Sequence, residues 1–147
     1  MRVAVGADHG GYNLKQHVVE FLVDRGHQVE DLGTHSLESV DYPDVAARVA
    51  RTVAIGHADR GIIVCGTGIG VSIVANKVPD VRAALCTNVY MARMAREHNG
   101  AQVLCLGERV LGVGLALDIV QVFLDTEFQG GRHARRVDKI NALERKG

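Results

Sequence analysis

The sequence predicts an α/β fold, a three-layer α/β/α sandwich around a five-stranded parallel sheet. Two observations predict it. Short apolar runs alternate with stretches of helical periodicity along the chain, and the third run, Gly-Ile-Ile-Val-Cys at 61–65, is apolar throughout, as a strand covered on both faces must be. Strand–helix alternation calls for parallel strands joined by right-handed crossovers, so the sheet expected is Rossmann-like.

The elements follow in order. Strands are expected at 2–7, 28–32, 60–65, 82–86 and 103–106. Leu14, Val18, Phe21 and Leu22 share one face of a helix over 12–25, which Gly26 ends. Pro43 suits the first turn of a helix over 43–55. Further helices are read at 71–77, 88–98 and 111–124, and a last one at 133–144. The longest irregular stretch, about 33–42, is long for such a fold and marks a functional loop. With no linker or repeat in view, one domain over 1–147 is expected.

Composition narrows the function. The chain has 147 residues, 47% hydrophobic and 23% charged, which argues against disorder. Seventeen basic residues balance seventeen acidic ones, so a generic electrostatic partnership with nucleic acid is not expected. No apolar run approaches the ~20 residues that span a bilayer, and the first residues read as a strand, so no membrane partner and a cytoplasmic location are expected. The three cysteines, Cys65, Cys86 and Cys105, form no Cys-x-x-Cys pair and lack zinc-finger spacing to a histidine, so no metal site is read. Cys86 and Cys105 sit in apolar runs and read as small buried hydrophobes.

Ligands in open α/β sheets bind beyond the carboxyl ends of the strands. The first strand ends in Asp8-His9-Gly10-Gly11, which suits a capped turn and a ligand site equally. The third ends in Cys65-Gly66-Thr67-Gly68-Ile69-Gly70, followed by a helix. That loop has neither the Gly-Lys-Ser/Thr ending of a Walker loop nor the sixth-position glycine of the dinucleotide fingerprint. Three alternating glycines still favour an anion cradle of backbone amides. Cys65 at its edge reads either as a reactive thiol or as another buried strand cysteine. His98-Asn99-Gly100 alone reads as a helix C-cap. Arg132 and Arg136, four apart, share a helical face that suits a phosphate, although a solvated helix end is the commoner reading of such a run.

Taken together, the motifs resemble the type B ribose-5-phosphate isomerase family, which includes isomerases of allose and galactose 6-phosphates. The resemblance rests on Gly6-Ala7-Asp8-His9-Gly10-Gly11, Asp41-Tyr42-Pro43, Cys65 to Gly70, Ala75-Asn76-Lys77, Arg96-Glu97-His98-Asn99, Leu106-Gly107-Glu108-Arg109 and Gly130-Gly131-Arg132-His133 with Arg136 and Val137. It implies an aldose–ketose isomerase that interconverts ribose 5-phosphate and ribulose 5-phosphate through an enediolate. Cys65 would be the carbon base, His98 would assist ring opening, and Asp8 would share that proton traffic. Gly66, Thr67, Gly68, Ile69 and Gly70 would cradle the enediolate oxygens. His9, Asn99, Arg109, Arg132 and Arg136 would contact the sugar and its phosphate, and Tyr42 would line the sugar. The resemblance also implies no metal or nucleotide cofactor, and a homodimer or dimer of dimers whose phosphate contacts come partly from a second subunit. Relatives with serine in place of the cysteine use a glutamate in the next helix; here the first acid after the loop is Asp80, beyond Pro79, which places the chain with the cysteine type. Isomerisation of a six-carbon sugar phosphate is the alternative. A non-catalytic sugar-phosphate-binding protein would need neither Cys65 nor His98, and a cysteine phosphatase would want Arg where Val71 stands.

Overall fold

The computed structural model describes residues 1–145. Its centre is a five-stranded sheet in the order β2-β1-β3-β5-β4, with every neighbouring pair parallel. The strands are β1 (Arg2–Ala7), β2 (Gln28–Asp31), β3 (Arg60–Cys65), β4 (Ala83–Leu85) and β5 (Val103–Gly107). The helices are α1 (Tyr12–Asp24), α2 (Tyr42–Ala54), α3 (Ile69–Ala75), α4 (Val89–Glu97), α5 (Val113–Asp125) and α6 (Arg132–Ala142), with 3-10 turns at His9–Gly11 and Leu143–Arg145.

The two-residue period of the strands builds two cores. Val3, Val5, Ile62, Val64, Leu104 and Leu106 point to one face and pack with Leu14, Val18 and Leu22 of α1, Ala92 of α4, and Ile119 and Phe123 of α5. Ala4, Ile63, Cys65, Val103 and Cys105 point to the other and pack with Val49 and Val53 of α2 and Val71 and Ala75 of α3. Strands β3 and β5 are buried along nearly their whole length, which is why their sequences run apolar without alternation. The three-layer, parallel, Rossmann-like sandwich expected from the sequence is the fold observed.

Each strand delivers its last residue to one edge of the sheet, and each crossover helix returns the chain to the opposite edge. Ala7, Cys65 and Gly107 therefore end side by side at the carboxyl edge. The C-termini of α4 and α5, and the start of α6, lie at the amino edge. Arg82, just before β4, fixes that placement: its Nε and Nη2 donate to the carbonyls of Asn99 (2.8 Å) and Gly100 (3.1 Å). Among the described residues no helix is long and apolar enough to cross a membrane.

Candidate active site

At the carboxyl edge, Asp8 Oδ1 accepts the N–H groups of Gly10 (2.9 Å) and Gly11 (3.1 Å). Asp8 thus caps the first turn, as one reading of its sequence expects, and it also lines the cleft. His9 turns toward the 33–41 loop, where its Nδ1 faces the Val40 N–H at 3.1 Å.

The turn after β3 is built around Cys65. Its Sγ is 3.0 Å from the Gly68 N–H, a donor aimed at any charge on sulfur. Gly68 holds φ +81, and a Cβ there would lie 2.5 Å from Leu85 Cδ1 and 3.0 Å from the carbonyl carbon of Leu106, so the turn needs glycine at this position. Thr67 Oγ1 accepts the Ile69 N–H at 3.2 Å as the chain enters α3. The next strand closes the floor: Glu108 N–H donates to Cys65 C=O (2.9 Å) and Arg109 N–H to Gly66 C=O (3.0 Å). The Arg109 guanidinium lies beside Gly66, and the Tyr42 ring packs over Gly70. Asp8, Tyr42, Cys65, Gly66, Thr67, Ile69, Gly70 and Arg109 thereby share one cleft of about 460 Å³, with Gly68 in the turn beneath it.

A second cluster stands at the amino edge. His98, at the C-cap of α4, stacks on His133 of α6 with ring centroids 4.2 Å apart and planes 12° from parallel. Desolvation, with the nearby charges of His98, Arg132 and Arg136, holds His133 below the usual imidazole range. Arg132 and Arg136 are exposed and enter no ion pair among the described residues; Asn99, next to His98 in the chain, is exposed too. His133, buried in the helix seam, was not among the candidates from sequence, which offers no sign that two histidines 35 positions apart will stack.

The structure therefore brings Asp8, Tyr42, the 65–70 turn and Arg109 together, with His9 adjacent. It places His98, Asn99, Arg132 and Arg136 across the sheet from them. Strands β3 and β5 are six and five residues long, so the two clusters are separated by a depth of about 17–20 Å. Among the described residues no group of three or more His, Cys, Asp or Glu side chains is placed to hold a metal ion.

Comparison with known proteins places the chain among relatives. The model of the ribose/galactose isomerase family matches residues 3–140. The chain is 47% identical over 145 residues to ribose-5-phosphate isomerase B of Escherichia coli K12, covering 99% of this chain and 97% of that one. It is 44% identical to a D-erythrulose-4-phosphate isomerase of Pectobacterium atrosepticum, over 98% of this chain and 95% of the relative. Among solved structures, a ribose-5-phosphate isomerase B of Clostridium thermocellum superposes with a TM-score of 0.99 at 62% identity, with 99% of each chain covered. A cysteine-and-glycine turn at the carboxyl edge, a fold matched from end to end and a family model spanning nearly all of the sequence agree: the chain belongs to the ribose/galactose isomerase family.

Proposed function

We propose that this protein interconverts ribose 5-phosphate and ribulose 5-phosphate, with Cys65 as the base at carbon. The observation that carries the reading is the Cys65 turn. A thiol sits at the edge of a cleft whose floor is backbone, and the Gly66 and Thr67 N–H groups donate to no acceptor among the described residues.

The chemistry needs a base, an anion cradle and an acid. Cys65 Sγ removes the proton from C2 of the open-chain aldose, and the electron pair becomes the C1–C2 double bond while charge passes to O1. The Gly66 and Thr67 amides of the turn hold that enediolate; the Gly68 and Ile69 N–H groups are already given to Cys65 Sγ and Thr67 Oγ1. A cradle donor of this kind is worth about 2.7–4 kcal/mol in the transition state, and a positioned base about 10²–10⁴ in rate. A proton moves from O2 to O1 through Thr67 or Asp8, and the thiol returns its proton to C1 to give the ketose. His98 donates to the ring oxygen during opening of the furanose. Arg109, Arg132, Arg136, His9 and Asn99 hold the phosphate and hydroxyls, and Tyr42 lines the sugar.

These roles require His98 and the two arginines to meet Cys65, and their place at the opposite edge of the sheet supports a site shared between copies of the chain. A homodimer, alone or paired as a dimer of dimers, supplies them: the amino-edge cluster of one copy covers the carboxyl-edge cleft of another. Exposed Ile69 and Ile73 at the rim of the cleft give such a partner an apolar surface to rest on.

The experiment is a kcat/KM comparison on ribose 5-phosphate, allose 6-phosphate, galactose 6-phosphate and erythrulose 4-phosphate, the last because one relative acts on it. Ribose 5-phosphate is expected to lead. Cys65→Ala should lower kcat by at least about 10²-fold with little change in substrate affinity by calorimetry. Near-normal turnover by that variant removes Cys65 from the mechanism.

A further inference from the structure

Lys15 is an unusual residue for an amphipathic helix. Its side chain has no exposed surface, and its Nζ donates to Asp31 Oδ1 (2.8 Å), Asp31 Oδ2 (2.9 Å) and Thr34 C=O (2.6 Å). An ammonium has three donors, and all three are used. Asp31 Oδ1 also accepts the Gly33 N–H at 3.0 Å. One peptide further on, Gly33 C=O accepts from Ala7 N–H and Thr34 N–H donates to Ala7 C=O, each at 2.6 Å. Every backbone polar group of Gly33 and Thr34 is thus engaged, and the loop after β2 is fastened to the residue that precedes Asp8.

The loop is fastened again six residues on. Val40 N–H donates to His9 Nδ1, so that nitrogen carries no proton and a neutral His9 must carry its proton on Nε2. Two residues later the chain reaches Tyr42, which stands in the cleft. The 33–41 loop therefore sets the tautomer of one candidate substrate contact and the starting point of another.

We propose that Lys15 is a positioning residue for the sugar-phosphate site: through Asp31 and Thr34 it fixes the 33–41 loop so that Val40 holds His9 as the Nε2–H donor. The role in binding rests on the functional reading above; the fixing of His9 does not.

The test uses the full-length protein labelled with 15N-histidine. Long-range 1H–15N spectra should show His9, identified by loss of its signals in His9→Asn, purely in the Nε2–H form. Lys15→Met removes the ammonium but keeps the apolar stem. It should mix the two tautomers and raise KM for ribose 5-phosphate about tenfold, with kcat within about threefold. Val40→Pro removes the distal N–H donor while leaving Lys15 in place and should reproduce both effects. Thermal melts establish that each variant is folded, and if Lys15→Met is not, Asp31→Asn, which weakens the same anchor, takes its place with the same expected and overturning results. A pure Nε2–H signal retained in folded Lys15→Met, or a lost signal with KM unchanged in either variant, overturns the proposal. If the wild type turns over no ribose 5-phosphate, the functional reading fails, while the tautomer of His9 in Lys15→Met still decides whether Lys15 fixes it.

Discussion

Three cysteines lie on or beside neighbouring strands, and their surroundings give them different chemistry. Cys65 meets the cleft, whereas Cys86 and Cys105 are enclosed by the cores. Burial pushes the Cys86 thiol up to about 11 and the Cys105 thiol higher still, where the charges of Cys65 and Cys86 add to the effect of desolvation. Alkylation of the folded protein at pH 8 should therefore spare both. Cys105→Ala should keep kcat and lose about 1–2 kcal/mol of stability to the cavity it leaves. The sign of the pH effect follows from linkage. An unfolded cysteine titrates near 8.5, so between about pH 8.5 and 11 the unfolded chain releases the Cys86 proton first and stability falls as pH rises. Cys86→Ala should flatten that alkaline loss in a series of melts; an identical slope would assign it to other groups. The apolar runs around Cys86 and Cys105 mark them in the sequence as buried, whereas the glycines after Cys65 set it apart but leave it open between a reactive and a buried thiol. Lys15 was not legible, because a lysine on an amphipathic helix reads as a solvated position until the fold brings Asp31, 16 residues on, beneath it.

At the scale of elements, periodicity located every strand and helix to within a few residues, and the departures have local causes. Helix α3 starts at Ile69 rather than 71 because Gly68, with its positive φ, completes the turn earlier than the apolar pattern indicates. Helix α5 starts at Val113 rather than 111 because Leu111 N–H is taken by Gly107 C=O in a turn that closes β5. Strand β4 is shorter than expected, since the Arg82 N–H is given to the Gln102 side chain (Oε1, 2.7 Å) and the Cys86 N–H makes the last bond to β5, at Cys105 C=O (3.3 Å). The junction between β1 and α1 yields a sharp prediction. A Cβ on Gly11 would lie 2.4 Å from Val64 O and 2.5 Å from its carbonyl carbon, atoms held rigidly in the sheet. Gly11→Ala should destabilise by about 3 kcal/mol in denaturant unfolding and disturb the Asp8 cap. Gly112→Ala meets open space at a negative φ and should stay within about 0.5 kcal/mol. Equal losses from the two would show that contact with Val64 is not what limits the site.

For the whole molecule, the motifs alone gave no warning that they end on opposite edges of one sheet. Cys65 closes β3 at the carboxyl edge, and His98 closes α4 at the amino edge, where Gln129 N–H bonds to Glu97 C=O and the His98 ring meets His133. That separation depends on strand order and helix direction, which local periodicity does not encode. On the proposed function the site needs both residues, and a two-fold dimer would make two such sites from four half-sites. Mixing inactive variants distinguishes this arrangement from one confined to a single chain. Cys65→Ala and His98→Asn, unfolded together and refolded at equal amounts, give hetero-dimers as half of all dimers. In each, the wild-type Cys65 of the His98→Asn chain faces the wild-type His98 of the Cys65→Ala chain, and the other site carries both lesions. The mixture should recover about a quarter of wild-type turnover from two nearly inactive parents. Sites built within single chains would each keep one lesion, so a mixture no more active than its parents would return His98 to its own subunit or remove it from the reaction.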